Sequence, residues 1–321
     1  MRRAALLACV AALLAAPLHA ENAGGKAMPI EVAGPQGPLA GTLLRPSGAQ
    51  TAAALILPGS GPTDRNGNNP LGVKAAPYRL LAEGLAARGI ATVRIDKRGM
   101  FGSAKAVPDP NAVTIPDYVT DTSAWVQAIR AKTGAPCVWL IGHSEGGLVA
   151  LAAAQQGEGL CGLMLVAAPG RPLGEVIRDQ LRANPFNAPL LPPAEAAIDA
   201  LTAGQRVDPA TLPQPLLPLF RPEVQGFLIS AFALDPAALA AKVKLPMLVV
   251  QGGKDIQVPV ADAERLAAAN PAAKLAVLPG VNHVLKDVAG DSRADNVATY
   301  AAPDLPLGDG VVATIAGFIG G

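Results

Sequence analysis

The chain has 321 residues, and its 26 lysines and arginines nearly balance its 25 aspartates and glutamates. Hydrophobic residues make up 50% of the sequence, enough for one large core or a core with a modest additional unit. No basic cluster is interleaved with aromatic residues, which argues against a nucleic-acid-binding surface. The composition therefore favours a small neutral or amphiphilic partner molecule.

The first twenty residues have the pattern of a secretory signal peptide. Two arginines follow Met1, an apolar stretch covers residues 4–16, and the small residue Ala20 precedes a more polar sequence. The apolar stretch is too short to span a bilayer comfortably. The sequence predicts cleavage after Ala20, a periplasmic or secreted protein, and no stable membrane anchor. A retained anchor is the alternative.

Apolar and amphipathic segments alternate along the next part of the chain. Residues 28–46 place two apolar runs around a turn rich in glycine and proline, which is typical of a β-hairpin. Amphipathic helices are predicted over 75–88 and 118–132. Further strands are predicted at 52–57, 90–95, 138–141, 163–167, 247–251 and 275–278. This alternation indicates right-handed βαβ crossovers and a mostly parallel sheet covered by helices on both faces.

Residues 171–243 break the alternation, since they are rich in proline and leucine. We interpret them as a helical cap over the carboxyl edge of the sheet, where ligands of such sheets bind. A structural excursion remote from the site is the alternative. Helices are predicted in it at 173–183, 194–203 and 224–233. The chain divides into a signal peptide (1–20), a first core part (21–170), the cap (171–243) and a second core part (244–321).

A Gly-x-Ser-x-Gly motif at residues 142–146 lies between a strand-like and a helix-like segment. A serine on such a turn is a nucleophile elbow, and the flanking glycines let the neighbouring chain pass close by. Its hydroxyl stands beside a helix N-terminus, which favours developing negative charge. The motif predicts Ser144 as a catalytic nucleophile. A structural glycine turn is the alternative.

A nucleophilic serine needs a base, and the histidines narrow the choice. Of the three histidines, His19 lies in the signal peptide and His143 is beside the nucleophile on the elbow. His283 remains, in a loop that directly follows the predicted strand 275–278. We predict His283 as the general base.

The acid that orients the base is expected between serine and histidine in the chain. Asp255 fits, because it follows the predicted strand 247–251 through a tight glycine turn. Asp262 falls inside a predicted helix, where a solvated carboxylate is the simpler interpretation. Asp287 is a weaker alternative that needs a helix after His283.

Acyl transfer also needs two N–H donors for the oxyanion. The backbone of Glu145 is expected to supply one. The second is expected from the loop after strand 52–57, where glycines flank Ser60, so that Ser60 is the first choice and Gly61 the second.

These motifs resemble those of the α/β-hydrolase superfamily over nearly all of the predicted mature chain. The segments that carry the resemblance are 57–62, 96–99, 142–147, 253–255 and 282–283. More narrowly, residues 59–67 together with the elbow are similar to bacterial EstD-like carboxylesterases, related to serine aminopeptidase-like hydrolases. The resemblance implies carboxylic ester hydrolysis with Ser144, Asp255 and His283 as triad and Ser60 and Glu145 as oxyanion donors.

One departure from this pattern concerns the oxyanion loop. Many relatives carry His-Gly there, whereas this chain has Pro58-Gly59. The difference does not concern the three triad residues. It does bear on the choice of Ser60 as the second oxyanion donor. The polar residues 64–66 of the same loop are expected to hold the loop rather than to contact substrate, and Arg98 is expected to anchor the turn after its strand.

Two cysteines, Cys137 and Cys161, remain after signal removal, and each begins an apolar run. If these runs are adjacent parallel strands, the sulfurs lie at the same end of the sheet and can be bridged. We predict a Cys137–Cys161 disulfide, with two buried free thiols as the alternative. Two mature histidines and two strand-borne cysteines form no ligand cluster, so no metal or organic cofactor is implied.

The sequence thus predicts a secreted serine esterase whose partner is a small-molecule ester of short to medium acyl chain. The cap phenylalanines at 186, 220, 227 and 232 suggest an apolar acyl pocket. An amidase or aminopeptidase, a thioesterase or a lactonase on the same triad stays open. A catalytically silent binding protein of the same fold is the alternative outside enzymes. An aminopeptidase needs acidic cap groups for a free amine, and candidates are Glu175, Asp179, Glu195, Asp199 and Glu223.

Overall fold

A mostly parallel sheet of eight strands forms the centre of the molecule in the computed structural model, which describes residues 25–321. The strands are β1 Ala27–Ala33, β2 Pro38–Leu44, β3 Ala52–Leu57, β4 Ile90–Ile95, β5 Val138–His143, β6 Leu160–Val166, β7 Met247–Gly252 and β8 Lys274–Leu278. Their order is β1-β2-β4-β3-β5-β6-β7-β8. β2 pairs antiparallel with β1 and β4, and the remaining pairs are parallel. The predicted hairpin and parallel sheet are confirmed, and the predicted signal peptide lies outside the described residues.

Helices cover both faces of this sheet, as predicted. They are α1 Pro77–Ala86, α2 Ile115–Thr133, α3 Glu145–Ala154, α4 Leu173–Arg182, α5 Leu191–Thr202, α6 Leu217–Phe220, α7 Pro222–Phe232, α8 Pro236–Lys242, α9 Val260–Ala269, α10 Arg293–Ala298 and α11 Val311–Gly320. Side chains of α1 and α11 pack on one face, and those of α2 and α3 pack on the other. The apolar α11 was not predicted from the sequence.

Within 25–321, no single helix has both the length and the apolar composition of a membrane span, while α7 and α8, bent by 44°, reach them together.

Five helices, α4 to α8, occupy the region between β6 and β7 that the sequence suggested as a cap. Phe220 and Phe232 are buried in the same hydrophobic cluster as residues of α2 and α3, so the helices share a core with the body. The main-chain N–H of Ile115 donates a 3.1 Å hydrogen bond to Ser230 Oγ on α7. The region is thus packed firmly onto α2.

Asp262 ties the start of the cap region to α9, and its predicted role as a solvated carboxylate is wrong. The residue is only 1% exposed. Its carboxylate accepts hydrogen bonds from the Gly170 N–H at 2.9 Å and from two guanidinium nitrogens of Arg171 at 3.0 and 2.9 Å. A carboxylate on a helix that faces the β6 connection is buried by tertiary packing, which helix periodicity alone does not reveal.

A disulfide between Cys137 and Cys161 joins the amino ends of β5 and β6, with a Cα–Cα distance of 5.2 Å. In the strand register, Val138 opposes Leu160 and Trp139 opposes Gly162, so Cys161 is the extra residue of a β-bulge. The bond therefore crosslinks the sheet at the edge opposite to the predicted catalytic loops.

A buried chain of hydrogen bonds joins three loops at the carboxyl edge. The Gly59 N–H donates to Tyr78 Oη at 3.0 Å, Tyr78 Oη lies 2.8 Å from His143 Nδ1, and His143 Nε2 lies 2.8 Å from the His283 carbonyl oxygen. Because a carbonyl only accepts, Nε2 carries the proton and Nδ1 accepts from Tyr78. Burial, followed by repulsion from a charged His283, lowers the pKa of His143 to about 3. The imidazole of His143 is therefore a neutral structural link.

Removal of the disulfide is expected to destabilise the protein. The bond closes a loop with a sequence separation of 24 residues, for which chain entropy gives about 3 kcal/mol. We expect Cys137→Ala/Cys161→Ala to lower the free energy of unfolding, measured in urea, by about that amount. Wild-type protein unfolded under reducing conditions is the matched comparison, and indifference to reductant would contradict the prediction.

The neutral His143 is expected to make stability fall with acid. Below its ordinary pKa of 6.5, the unfolded chain binds a proton that the folded chain accepts only near pH 3. Stability from this group is therefore present above pH 6.5 and declines as the pH falls, by about 2 kcal/mol between pH 7 and pH 5.

The comparison variant is His143→Gln, because glutamine can accept from Tyr78 and donate to the His283 carbonyl without titrating. Urea unfolding at pH 7 and pH 5 should show a larger loss in the wild type than in the variant. Equal losses would mean that His143 is not held neutral.

Candidate active site

Ser144 occupies the turn between β5 and α3 with the strained backbone angles φ 53° and ψ −124°. The turn is tight because a Cβ at Gly142 would lie 2.3 Å from the Gly146 oxygen, and one at Gly146 would lie 2.3 Å from the Leu57 oxygen. Both flanking positions therefore require glycine. A non-glycine residue at positive φ costs free energy and persists where packing enforces it. The structure thus gives Ser144 the backbone of a nucleophile elbow.

Asp255 and His283 form a buried pair at the same edge of the sheet. Asp255 follows β7, His283 follows β8, and Asp255 Oδ2 accepts a 2.8 Å hydrogen bond from His283 Nδ1. The Asp255 side chain is 0% exposed and that of His283 is 6% exposed. The other Asp255 oxygen accepts from the main-chain N–H groups of Gln257 at 2.8 Å and Val258 at 2.9 Å.

Electrostatics keep this carboxylate ionised. Burial works to raise the pKa of Asp255, but the charge of His283 and the hydrogen bonds from His283, Val258 and Gln257 outweigh it and hold the pKa below its usual value. With Asp255 accepting from Nδ1, the Nε2 atom of His283 is the one available to accept a proton. This is the arrangement that a general base requires.

Ser144 lies close to this pair, because the preceding residue, His143, packs against His283. The ring centroids of His143 and His283 are 4.9 Å apart. No hydrogen bond within 3.5 Å joins Ser144 Oγ to His283 in this structure. Such contacts are often long without substrate and tighten in the complex. The fold thus brings all three predicted residues to one edge of the sheet. Ser144 Oγ and His283 are not hydrogen-bonded to each other in this structure.

The two predicted oxyanion donors flank the serine. Glu145 is the first residue of α3, and the first N–H groups of a helix have no partner within the helix. On the other side, a Cβ at Gly59 would lie 3.3 Å from Ser144 Cβ, so the loop that contains Ser60 passes directly over the nucleophile. The N–H groups of Ser60 and Glu145 are therefore on segments that border the Ser144 side chain.

Polar residues of the surrounding loops mainly hold those loops in place. Asp64 Oδ1 accepts from the main-chain N–H groups of residues 66 and 68 at 2.7 and 2.9 Å. Arg65 pairs with Asp96, and the Asn66 side chain contacts Arg94. These contacts agree with the structural role expected for residues 64–66.

Two further polar residues also take structural positions. Arg98 pairs with Asp121 at 2.6 Å and with Asp117 at 3.0 Å, anchoring the turn after β4 to α2. Asp287 accepts the main-chain N–H of Asp309 at 2.8 Å, so its carboxylate is directed away from the role of triad acid.

Tyr78 and Lys97 contact the loop that contains Ser60, and neither was predicted as a functional residue. Tyr78 lies in the first turn of α1 and Lys97 follows β4. The only sequence signal for Lys97 is its place in the segment 96–99, which carried part of the family resemblance. Burial of both side chains at the carboxyl edge is a tertiary property.

The cap phenylalanines do not form the single acyl pocket that the sequence suggested. Phe220 and Phe232 are buried in the hydrophobic core, and Phe227 packs against Tyr118 with ring centroids 6.3 Å apart. Phe186 is 90% exposed. The four phenylalanines therefore occupy three different environments: two lie in the core, one packs against a tyrosine ring and one is exposed.

A cleft of about 460 Å³ instead lies between the end of α4 and the loop after Asp255. The Gln180 Nε2 atom donates to the Gln257 carbonyl oxygen at 3.2 Å and so links its two walls. The cleft is lined by Gln180, Ala183, Asn184, Pro185, Ile256, Gln257 and Arg293. Its titratable lining group is a cation. Among the described residues, no group of three or more His, Cys, Asp or Glu is placed to hold a metal ion.

Comparison with known proteins agrees with this geometry. Esterase EstD of Thermotoga maritima is 26% identical over 267 residues, which cover 81% of this chain and 60% of that protein. The match therefore spans less than two thirds of the relative's length.

Solved structures show the same fold. The Pyrococcus furiosus esterase Pf2001 superposes with a TM-score of 0.56 and 17% identity, covering 92% of this chain and 90% of that chain. Est1E from Butyrivibrio proteoclasticus gives 0.54 and 18% over 91% and 99% of the two chains. At these identities the likeness concerns the fold, which is the α/β-hydrolase fold.

A family model described as serine aminopeptidase, S33 (Hydrolase_4) matches residues 71–286, about two thirds of the chain, and includes the elbow, the acid and the base. The chain therefore belongs to this family of serine hydrolases within the α/β-hydrolase superfamily.

Proposed function

We propose that this protein is a serine carboxylesterase that acts through an acyl-serine intermediate. The observation that carries the proposal is the buried Asp255–His283 pair at 2.8 Å beside the strained Ser144. Family membership and the esterase name of the Thermotoga relative support the same reaction class.

The mechanism follows from the position of each group. His283 Nε2 takes the Ser144 proton as Ser144 Oγ attacks the acyl carbonyl, and the amides of Ser60 and Glu145 stabilise the oxyanion. His283 then gives its proton to the departing alkoxide, which leaves as alcohol. Water attacks the acyl-enzyme with the same base, and Asp255 stabilises the imidazolium in both steps.

Charge in the cap region favours an ester over a free-amine substrate. Of the five carboxylates that could hold an amine, Asp199 and Glu195 pair with arginines at 2.6 Å, and Asp179 pairs with Arg171. The cleft beside Asp255 presents Arg293. Three of the five carboxylates are therefore neutralised and the cleft presents a cation, which leaves Glu175 and Glu223 to hold an ammonium group and disfavours aminopeptidase activity.

We further propose that the acyl group is short to medium in length and that the protein is exported. Four of the seven residues that line the cleft are polar, which favours short and medium acyl groups over long apolar chains. The predicted signal peptide and the Cys137–Cys161 disulfide both support an oxidising compartment.

Replacement of the nucleophile tests the reaction class. We expect Ser144→Ala to lower kcat on p-nitrophenyl acetate by about 10⁵- to 10⁶-fold, as for removal of a triad serine elsewhere. The variant should also lose covalent labelling by a fluorophosphonate. Ser47→Ala, on an exposed loop, is the serine control that keeps wild-type activity and labelling. Labelling that persists without Ser144 would point to another nucleophile.

A substrate series tests the specificity. Purified protein lacking residues 1–20 is assayed on p-nitrophenyl esters from acetate to palmitate and on aminoacyl p-nitroanilides, with Ser144→Ala as blank. We expect kcat/KM to be highest for short and medium esters and the anilides to turn over poorly, because three of the five candidate carboxylates of the cap are paired with arginines and the cleft presents Arg293. Preferred anilide cleavage would make the protein a peptidase, and silence on both series would favour the binding-protein alternative.

A further inference from the structure

A buried lysine touches the oxyanion loop without belonging to the triad. Lys97 follows β4 at the carboxyl edge, and its side chain is 6% exposed. Its Nζ donates to the Gly59 carbonyl oxygen at 2.8 Å and to Glu145 Oε1 at 3.4 Å. Lysine is almost never fully buried unless its charge is paired. The two acceptors of Lys97 therefore explain how its ammonium group can be buried, and they indicate which groups it acts on.

The Gly59 carbonyl shares a peptide unit with the predicted oxyanion donor. In a planar trans peptide, the C=O of Gly59 and the N–H of Ser60 point in opposite directions. A hydrogen bond that fixes the oxygen toward Lys97 also fixes the direction of the Ser60 N–H. The charge on the donor draws electron density toward the oxygen and strengthens the N–H as a donor on the other side.

The peptide unit before Gly59 is held as well. Its N–H, on Gly59, donates to Tyr78 Oη at 3.0 Å. Both peptide units that flank Gly59 are thus fixed by buried side chains, one from α1 and one from the turn after β4. This fixation leaves the Ser60 N–H little freedom to rotate away from Ser144.

The second acceptor of Lys97 belongs to the other half of the oxyanion site. Glu145 supplies the second predicted donor through its main-chain N–H, and its carboxylate is buried, with its side chain 3% exposed. The pairing is longer than the contact with Gly59, so it contributes less to orientation. One ammonium nevertheless contacts the residues on both sides of the developing charge.

We propose that Lys97 is a positioning residue that orients and polarises the Gly59–Ser60 peptide for oxyanion binding, an inference that rests on the esterase function proposed above. Lys97 does not touch the substrate in this arrangement. It acts through the Ser60 N–H, and it lowers the barrier only where negative charge develops on the acyl oxygen.

The decisive variant is Lys97→Met/Glu145→Gln. Lys97→Met alone leaves the Glu145 carboxylate buried without a cation, which is strongly destabilising, whereas the double variant removes both charges at nearly constant volume. Circular dichroism and thermal unfolding verify the fold. Glu145→Gln alone keeps the contact between Lys97 and Gly59 but leaves the buried ammonium without its carboxylate, so its fold is verified in the same way before it is used to separate the effect of the carboxylate.

The readout compares p-nitrophenyl acetate with its thionoester, in which sulfur replaces the carbonyl oxygen. Sulfur is a weak hydrogen-bond acceptor, so the thionoester gains little from the oxyanion donors. We expect the double variant to lose about 10- to 100-fold in kcat/KM on the oxoester and much less on the thionoester. Glu145→Gln should keep an oxoester-to-thionoester ratio near that of the wild type.

The matched control is Arg98→Met/Asp121→Asn, which removes both charges of the neighbouring buried ion pair. Arg98 contacts α2 and does not bond to the oxyanion loop, so its loss should lower the melting temperature without changing the ratio. An unchanged ratio in the double variant, or equal losses on both esters, overturns the role of Lys97. Ester turnover that survives Ser144→Ala instead removes the proposed function itself.

Discussion

The backbone conformation of Ser144 is the constraint on which the rest of the site depends. Its φ of 53° is tolerated because β5 and α3 meet so closely that glycine is required on both sides of the turn. β5 is also a central strand, bonded to β3 on one side and β6 on the other. The serine is therefore placed by the stiffest part of the sheet. The loops that bear the acid, the base and the oxyanion donors are arranged around a fixed point.

Buried hydrogen bonds join those loops to one another. His143 is neutral and links the oxyanion loop to the base loop through Tyr78 and the His283 carbonyl. In the proposed mechanism His283 becomes an imidazolium, and a protonated His143 beside it would repel that charge. Burial of His143 removes that conflict, because it disfavours the charged form. Two histidines can therefore pack against each other at this edge of the sheet while His143 stays uncharged.

Much of the sheet could be predicted because its signal is local. β3 and β4 have the predicted bounds, since each is a short apolar run ended by turn residues, and every residue of β4 is buried. Motif spacing and the order of the strands predict the elbow and the loops after β7 and β8. They therefore predict that Ser144, Asp255 and His283 each follow the end of a strand. The relative placement of side chains does not follow from local pattern.

Contacts between distant segments explain what the sequence did not reveal. Asp262 looks solvated on its helix, yet it meets the segment at 170–171, far away in the chain. Tyr78 contacts two residues that are separated from it by 19 and 65 positions along the chain, and Lys97 contacts a carbonyl oxygen separated by 38 positions. Such residues have no periodicity or motif of their own. They are identified only when the fold brings the loops together.

The cap region illustrates how paired charges shape specificity without touching the reaction. Arg171 joins Asp179 of α4 and Asp262 of α9, while Arg178 and Arg182 pair with carboxylates of α5. Surface pairs of this kind contribute little to stability individually. Their larger effect is to neutralise three of the cap carboxylates that could otherwise hold an ammonium group. A neutral ester needs no such anchor, because the oxyanion donors bind the one group that every ester shares. The site geometry and the charge pattern of the cap region therefore both support the proposed preference for an ester.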